Sequence, residues 1–134
     1  MKAELLRAYL DTAYRVFFRE ETVDIRIGRT HGRLDELLEG RSWAFVSACN
    51  PGSVQCTDNA RRHALLTARL KDHRFHAGMG VPDRGDWPPE ESVLICGIEE
   101  DEAVLIGREF GQNAIVCGEN GSPARLVPIS GEAF

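Results

Sequence analysis

Apolar positions along the chain change period repeatedly, and each change marks an element. Leu6, Tyr9, Leu10 and Ala13 recur at helical spacing, which predicts an amphipathic helix over 3–13. The runs 14–18 and 23–27 read as strands joined by the polar turn 19–22, with Gly28 ending the second. Leu34, Leu37 and Leu38 share one face of a short helix over 32–39, closed by Gly40. Residues 42–48 are apolar almost throughout, as in a strand covered on both faces. That strand stops at the turn signal Cys49-Asn50-Pro51-Gly52-Ser53.

A long helix is expected over 58–72, with Thr57 or Asp58 as N-cap. Residues 74–79 form a weak strand, and 81–91, holding Pro82, Gly85, Pro88 and Pro89, reads as irregular. Residues 92–98 are a second apolar strand. In the helix expected over 99–110, Glu99, Glu100, Asp101 and Glu102 crowd the first turn, where the helix dipole favours negative charge. Gly111 is placed to end it in the left-handed conformation. Strands over 113–117 and 125–128 close the series.

The order is β-β, then β-α-β twice, then a closing strand. This predicts an α+β protein: a mixed sheet of about six to seven strands with helices packed on it, containing two β-α-β units. Strands linked by helices are expected to run parallel through right-handed crossovers, and the terminal hairpins antiparallel. No repeat, low-complexity tract or linker divides the 134 residues, so one domain over 1–134 is expected.

Composition narrows the function. The chain is 43% hydrophobic and 28% charged, which argues against disorder. Its net charge of -5 disfavours nucleic acid as a partner. The local cluster Arg61, Arg62, His63, Arg69, Lys71 and Arg74 reads as a solvated helix face. Met1-Lys2 leads straight into an amphipathic stretch, and no run approaches the roughly 20 apolar residues of a membrane span. No membrane partner is expected, and cytoplasmic residence is. The four cysteines, Cys49, Cys56, Cys96 and Cys117, form no Cys-x-x-Cys pair, and Cys96 and Cys117 read as small buried hydrophobes.

Several segments carry chemistry. In α/β sheets, ligands bind beyond the carboxyl ends of strands, and the turn after Ala48 is such a place, with Asn50 and Ser53. Asn59 and Arg62 share a face of the following helix start, a combination suited to an anion or to bracing the loop. Gln112 and Asn113 open an apolar strand, where buried amides must find partners in a loop or a ligand. The segment 82–91 could act as a lid in which Glu90 or Glu91 offers a carboxylate, and Trp87 either stacks on a ligand or plugs the loop onto the core. Cys56 precedes a helix start, where thiol pKa values fall, but His63 lies about two helical turns further on. His73 and His76 form a weak zinc pair, since a strand period puts them on opposite faces. No P-loop, dinucleotide-binding glycine pattern, HExxH or GxSxG is present, so no cofactor or metal is expected.

The ordered segments AFVSACNP, TDNARR, GMGVPDRGDWPPEESVLICGI and REFGQNAIVCGE resemble the small bacterial proteins catalogued as domain-of-unknown-function family thirty-two ninety-three. FGQNAIV is the most specific of them, and the resemblance spans about Tyr9 to Val127. It rests on Asn50, Pro51, Asn59, Arg62, Gly78, Gly80, Trp87, Glu91 and Phe110 to Ala114, and departs at Cys56 and Cys117. The resemblance implies an architecture and a candidate patch, and no established activity.

The leading expectation is a small domain binding a polar or anionic ligand, with a nucleotide-like group among the options. Asn59 and Arg62 would anchor the anion, Asn50, Gln112 and Asn113 would read hydrogen-bonding groups, and Trp87 and Glu91 would close the site. The alternatives are a protein–protein interaction module without a small-molecule site, and a small enzyme using Glu91 or a cysteine. The oligomeric state stays open.

Overall fold

The computed structural model describes residues 2–129; Met1 and residues 130–134 of the expected 1–134 span lie outside the described residues. The elements follow in the order α1 (Ala3–Leu10), β1 (Thr12–Phe17), β2 (Thr22–Ile25), α2 (Gly32–Leu37), β3 (Trp43–Ser47), α3 (Asn59–Arg69), β4 (Arg74–Pro82), β5 (Glu90–Cys96), α4 (Glu100–Glu109), β6 (Ala114–Gly118) and β7 (Arg125–Pro128). The α+β class and the number of strands are as the hydrophobic pattern predicts. Several boundaries move, and at two of them the strand pairing gives the reason. The first helix stops at Leu10 because Thr12 enters the sheet opposite Pro82. Strand β4 runs on to Pro82 because it is paired on both sides, with β1 and with β5.

Seven strands form one sheet in the order β2-β1-β4-β5-β3-β6-β7. Every pairing is antiparallel, which corrects the expectation of a mixed sheet. The helix-linked strands do share a direction: β3 and β4 both run antiparallel to β5, and β5 and β6 both run antiparallel to β3. They are not neighbours, however. The β4–β5 hairpin folds β5 back between β4 and β3, and β3 in turn separates β5 from β6. Both crossovers are therefore split by an intervening strand, giving the β-α-β-β-α-β arrangement called ferredoxin-like. A β1–β2 hairpin extends the β4 side, and β7 extends the β6 side.

Period-two alternation sends successive side chains to opposite faces. On one face Ala44, Val46, Val93, Ile95, Ile115 and Cys117 pack beneath Leu66 and Leu70 of the α3 segment and Ala103 and Ile106 of α4. On the other, Phe45, Leu94, Cys96 and Val116 meet Leu34 and Leu38 from the α2 segment. The sheet curls so that Tyr14, Val16 and Ile25 of the β1–β2 hairpin join this second core. Helix α1 contributes no fully buried residue and lies over the part of this face that α2 leaves uncovered.

Trp43 sits opposite Gly118 in the β3–β6 ladder. Its indole occupies the space a side chain at 118 would need, and a Cβ there would collide with the ring. Gly118→Ala should therefore cost roughly 1–3 kcal/mol by overpacking. Urea denaturation checks this: the midpoint falls while the slope is unchanged, and an unshifted midpoint would contradict the packing argument.

Candidate functional site

Between α1, the sheet and the 83–89 loop lies a cavity of about 440 Å³. Its floor is the face of the sheet carrying Tyr14, Phe45, Ser47, Ser92 and Glu90, its outer wall is α1 with Leu5, Ala8 and Tyr9, and Trp87 stands at one side. Asn50, Ser53 and Gln112 form the end nearest the C-terminus of β3. The volume falls within the range of small-molecule sites, roughly 300–1,000 Å³.

Of the residues singled out from the sequence, Asn50, Trp87 and Gln112 line this cavity. Asn59, Arg62 and Asn113 stand behind its wall as braces. The Asn59 Oδ1 accepts the Asn50 backbone N–H at 2.9 Å, and its Nδ2 donates to Asn50 Oδ1 at 2.9 Å. The same Asn50 oxygen accepts the Cys56 N–H at 3.0 Å. Arg62 donates Nε to the Ala48 carbonyl at 2.6 Å and Nη2 to the Phe110 carbonyl. Its guanidinium thus ties the turn after β3 to the end of α4 and is aimed at backbone, away from the place an anion would occupy. Gln112 donates to the Cys49 carbonyl at 3.0 Å, and Asn113 donates to Ser53 Oγ at 2.8 Å. Gly111 adopts the expected left-handed backbone at φ 69° and accepts the Gly52 N–H at 2.8 Å.

Glu91 stands elsewhere. Glu90, Ser92, Leu94 and Cys96 share one face of β5, so Glu91 takes the opposite face with Val93 and Ile95. There its Oε2 lies 3.5 Å from His63 Nε2 of α3. Of the two carboxylates that segment 82–91 offers, the one lining the cavity is Glu90. Ser53, in the turn singled out with Asn50, also lines the cavity, whereas Tyr9, Tyr14, Ser47 and Ser92 carry no signal beyond that of ordinary helix or strand residues.

Residues 46–115 match the family described as "Protein of unknown function (DUF3293)". The chain belongs to this family. The matched stretch, just over half of the sequence, runs from β3 to β6 and holds every brace around the Asn50 turn. No curated protein and no solved structure matches the chain. Among the described residues no helix is long and apolar enough to cross a membrane.

In this DUF3293 chain the electrostatics of the cavity centre on Glu90. Burial raises its pKa above the usual carboxyl value, and the Asn50 and Ser47 side chains beside it pull the other way. Ser47 Oγ lies 3.4 Å from Glu90 Oε1. Burial likewise raises the Tyr9 and Tyr14 hydroxyls, and the Tyr14 hydroxyl donates to the Tyr9 carbonyl at 2.9 Å. At the mouth, Arg7 and Arg84 both turn toward Asp11, at 3.5 and 3.8 Å. The 83–89 loop is held at its start, where Arg26 grips Asp83 with two hydrogen bonds at 2.7 and 2.8 Å.

The cysteines do not enter the cavity lining. Burial raises the Cys49 thiol, whose Sγ lies 3.6 Å from the Glu91 carbonyl, and pushes Cys117 up to about 12. Cys56 Sγ accepts the Asp58 N–H at 3.4 Å. The two candidate zinc histidines part company: His73 meets Glu102 of α4 at 2.7 Å, and His76 packs on Phe18 with ring centroids 4.7 Å apart.

Two outcomes follow from this geometry. Arg62→Ala strips two backbone carbonyls of their charged donor and should destabilise the chain by roughly 2–3 kcal/mol, seen as a lower thermal midpoint. Arg62→Lys should recover little, because one ammonium cannot reproduce the fork. Full stability of either variant would refute the bracing role. Glu90 is a carboxyl whose pKa rises on folding. Below the ordinary value of 4.5 both states hold the proton and nothing is lost. Destabilisation sets in as pH climbs through 4.5 and is complete above the raised folded value. Glu90→Gln should thus gain stability over the parent at neutral pH and lose that gain in acid, as thermal melts across pH would show. A pH-independent difference would contradict the assignment.

Proposed function

We propose that this DUF3293 chain binds a small polar molecule in the cavity between α1, the sheet and the 83–89 loop. The observation that carries this reading is the convergence of a half-buried carboxyl, Glu90, with the side chains of Ser47, Asn50, Ser53 and Gln112 on a concave, largely apolar lining of suitable volume. Sites of this composition bury the apolar body of a ligand and orient it through a few placed polar groups. A group the size of a nucleoside fits the space.

The anchor expected for an anion, Asn59 with Arg62, draws no support, since the Asn59 amide and two of the three guanidinium nitrogens are engaged with the Asn50 loop and nearby carbonyls, and neither residue lines the cavity. Chemistry at Glu91 or at a thiol is likewise weakly supported, Glu91 lying across the sheet and the cysteines outside the lining. An interaction module would favour Trp87 on a flat apolar patch, and Trp87 instead borders a concavity.

Titration of the isotope-labelled chain with a library of polar fragments tests the proposal. Amide shifts should concentrate at Tyr9, Ser53, Glu90 and Gln112, with quenching of Trp87 fluorescence that Trp87→Phe removes. Shifts confined to the outer faces of α3 and α4, where Leu65 and Leu105 are exposed, would instead favour a partner surface.

A further inference from the structure

Many carboxylates on the surface of this chain have cationic partners. Asp24 pairs with Arg15 at 2.8 Å, Asp83 with Arg26 at 2.7 Å, Glu109 with Arg69 at 3.0 Å and Glu100 with Arg125 at 2.7 Å. Glu90 differs in its setting, beside the cavity and withdrawn from solvent. It is more buried than these, yet among the described residues its neighbours are neutral hydrogen-bonding groups, Ser47 and Asn50, and no arginine, lysine or histidine forms an ion pair with it. A carboxyl withdrawn from water without a countercharge is unfavourable, and such groups are ordinarily paired or functional. The partner that is lacking is a cation, and the space in front of Glu90 is the cavity.

The rest of the lining suits the same charge. Tyr9, Tyr14, Phe45 and Trp87 all border the cavity, and Tyr14 and Phe45 meet edge to face with centroids 5.3 Å apart. Aromatic faces attract organic cations through their quadrupoles, the more so where water is excluded. Arg7 and Arg84 are the opposing charges. Both are largely exposed at the mouth and share Asp11, with Glu4 also on the rim, so solvent screens them more than it screens Glu90.

We infer that the ligand of this cavity carries a basic nitrogen, an alkylammonium or amidinium group that docks on Glu90 with its apolar body among the four aromatic side chains. The inference rests on the ligand-binding reading of the same cavity and specifies its charge.

Three compounds of one shape and different charge test it: benzylammonium, benzyl alcohol and benzoate, titrated against the full chain at neutral pH and followed by amide shifts of the cavity residues. Benzylammonium should bind at least tenfold more tightly than benzyl alcohol, with benzoate weakest. Glu90→Gln, which keeps size and removes charge, should bring benzylammonium to the level of the alcohol, and Glu90→Asp should retain part of the preference. Benzoate binding as well as benzylammonium, or an unchanged ranking in Glu90→Gln, would overturn the charge assignment. If polar fragments occupy the cavity while benzylammonium does not, the charge assignment fails and the site stands. If neither fragments nor any of the three compounds reach the cavity residues, both fail together.

Discussion

Two backbone carbonyls, at Ala48 and Phe110, point toward the same spot, and the Arg62 guanidinium fills it. The rest of the site depends on this contact. It fixes the distance between the chain leaving β3 and the chain leaving α4, two segments far apart in sequence. The planar fork of arginine suits the task because its donors diverge in one plane and need little further ordering. Around that fixed distance the amides of Asn59, Gln112 and Asn113 complete the bracing, and Asn50 and Ser53 are held at φ 49° and 62°. Non-glycine residues hold such angles only where their surroundings enforce them.

The strands and helices were readable because hydrophobic period is a local signal. The split crossovers were not. A β-α-β order fixes the shared direction of its two strands but leaves open whether another strand lies between them, and here the β4–β5 hairpin decides it. The direction was right and the neighbours were wrong for that reason. The terminal hairpins, whose partners lie close in sequence, were legible as antiparallel pairs.

The candidate site was legible in position more than in role. Polar residues at the end of β3 and the start of β6 do mark it, yet Asn59, Arg62 and Asn113 serve the backbone behind it. Amides and guanidinium groups satisfy a loop carbonyl by the same chemistry that would satisfy a ligand, so residue type alone cannot separate the two. The pair Glu90 and Glu91 shows the other limit. Adjacent strand residues face opposite ways, and which of two identical neighbours enters a cavity depends on which face the helices cover. In β5 the α3 and α4 side takes Glu91, leaving Glu90 to the face beneath α1.

Helix α1 forms the outer wall of the cavity while burying none of its residues completely. Among the described residues its attachments include the Tyr9 ring on the second core, the Tyr14 hydroxyl on the Tyr9 carbonyl, the Thr12 hydroxyl on the Ala8 carbonyl, and the exposed charges around Asp11. The floor, by contrast, is woven into the central strands. Opening free energies across one protein range from near zero for loosely packed segments to the global value for core strands. The two sides of this cavity sit toward opposite ends of that range. Local opening of the wall is accordingly separable from the folding of the sheet beneath it.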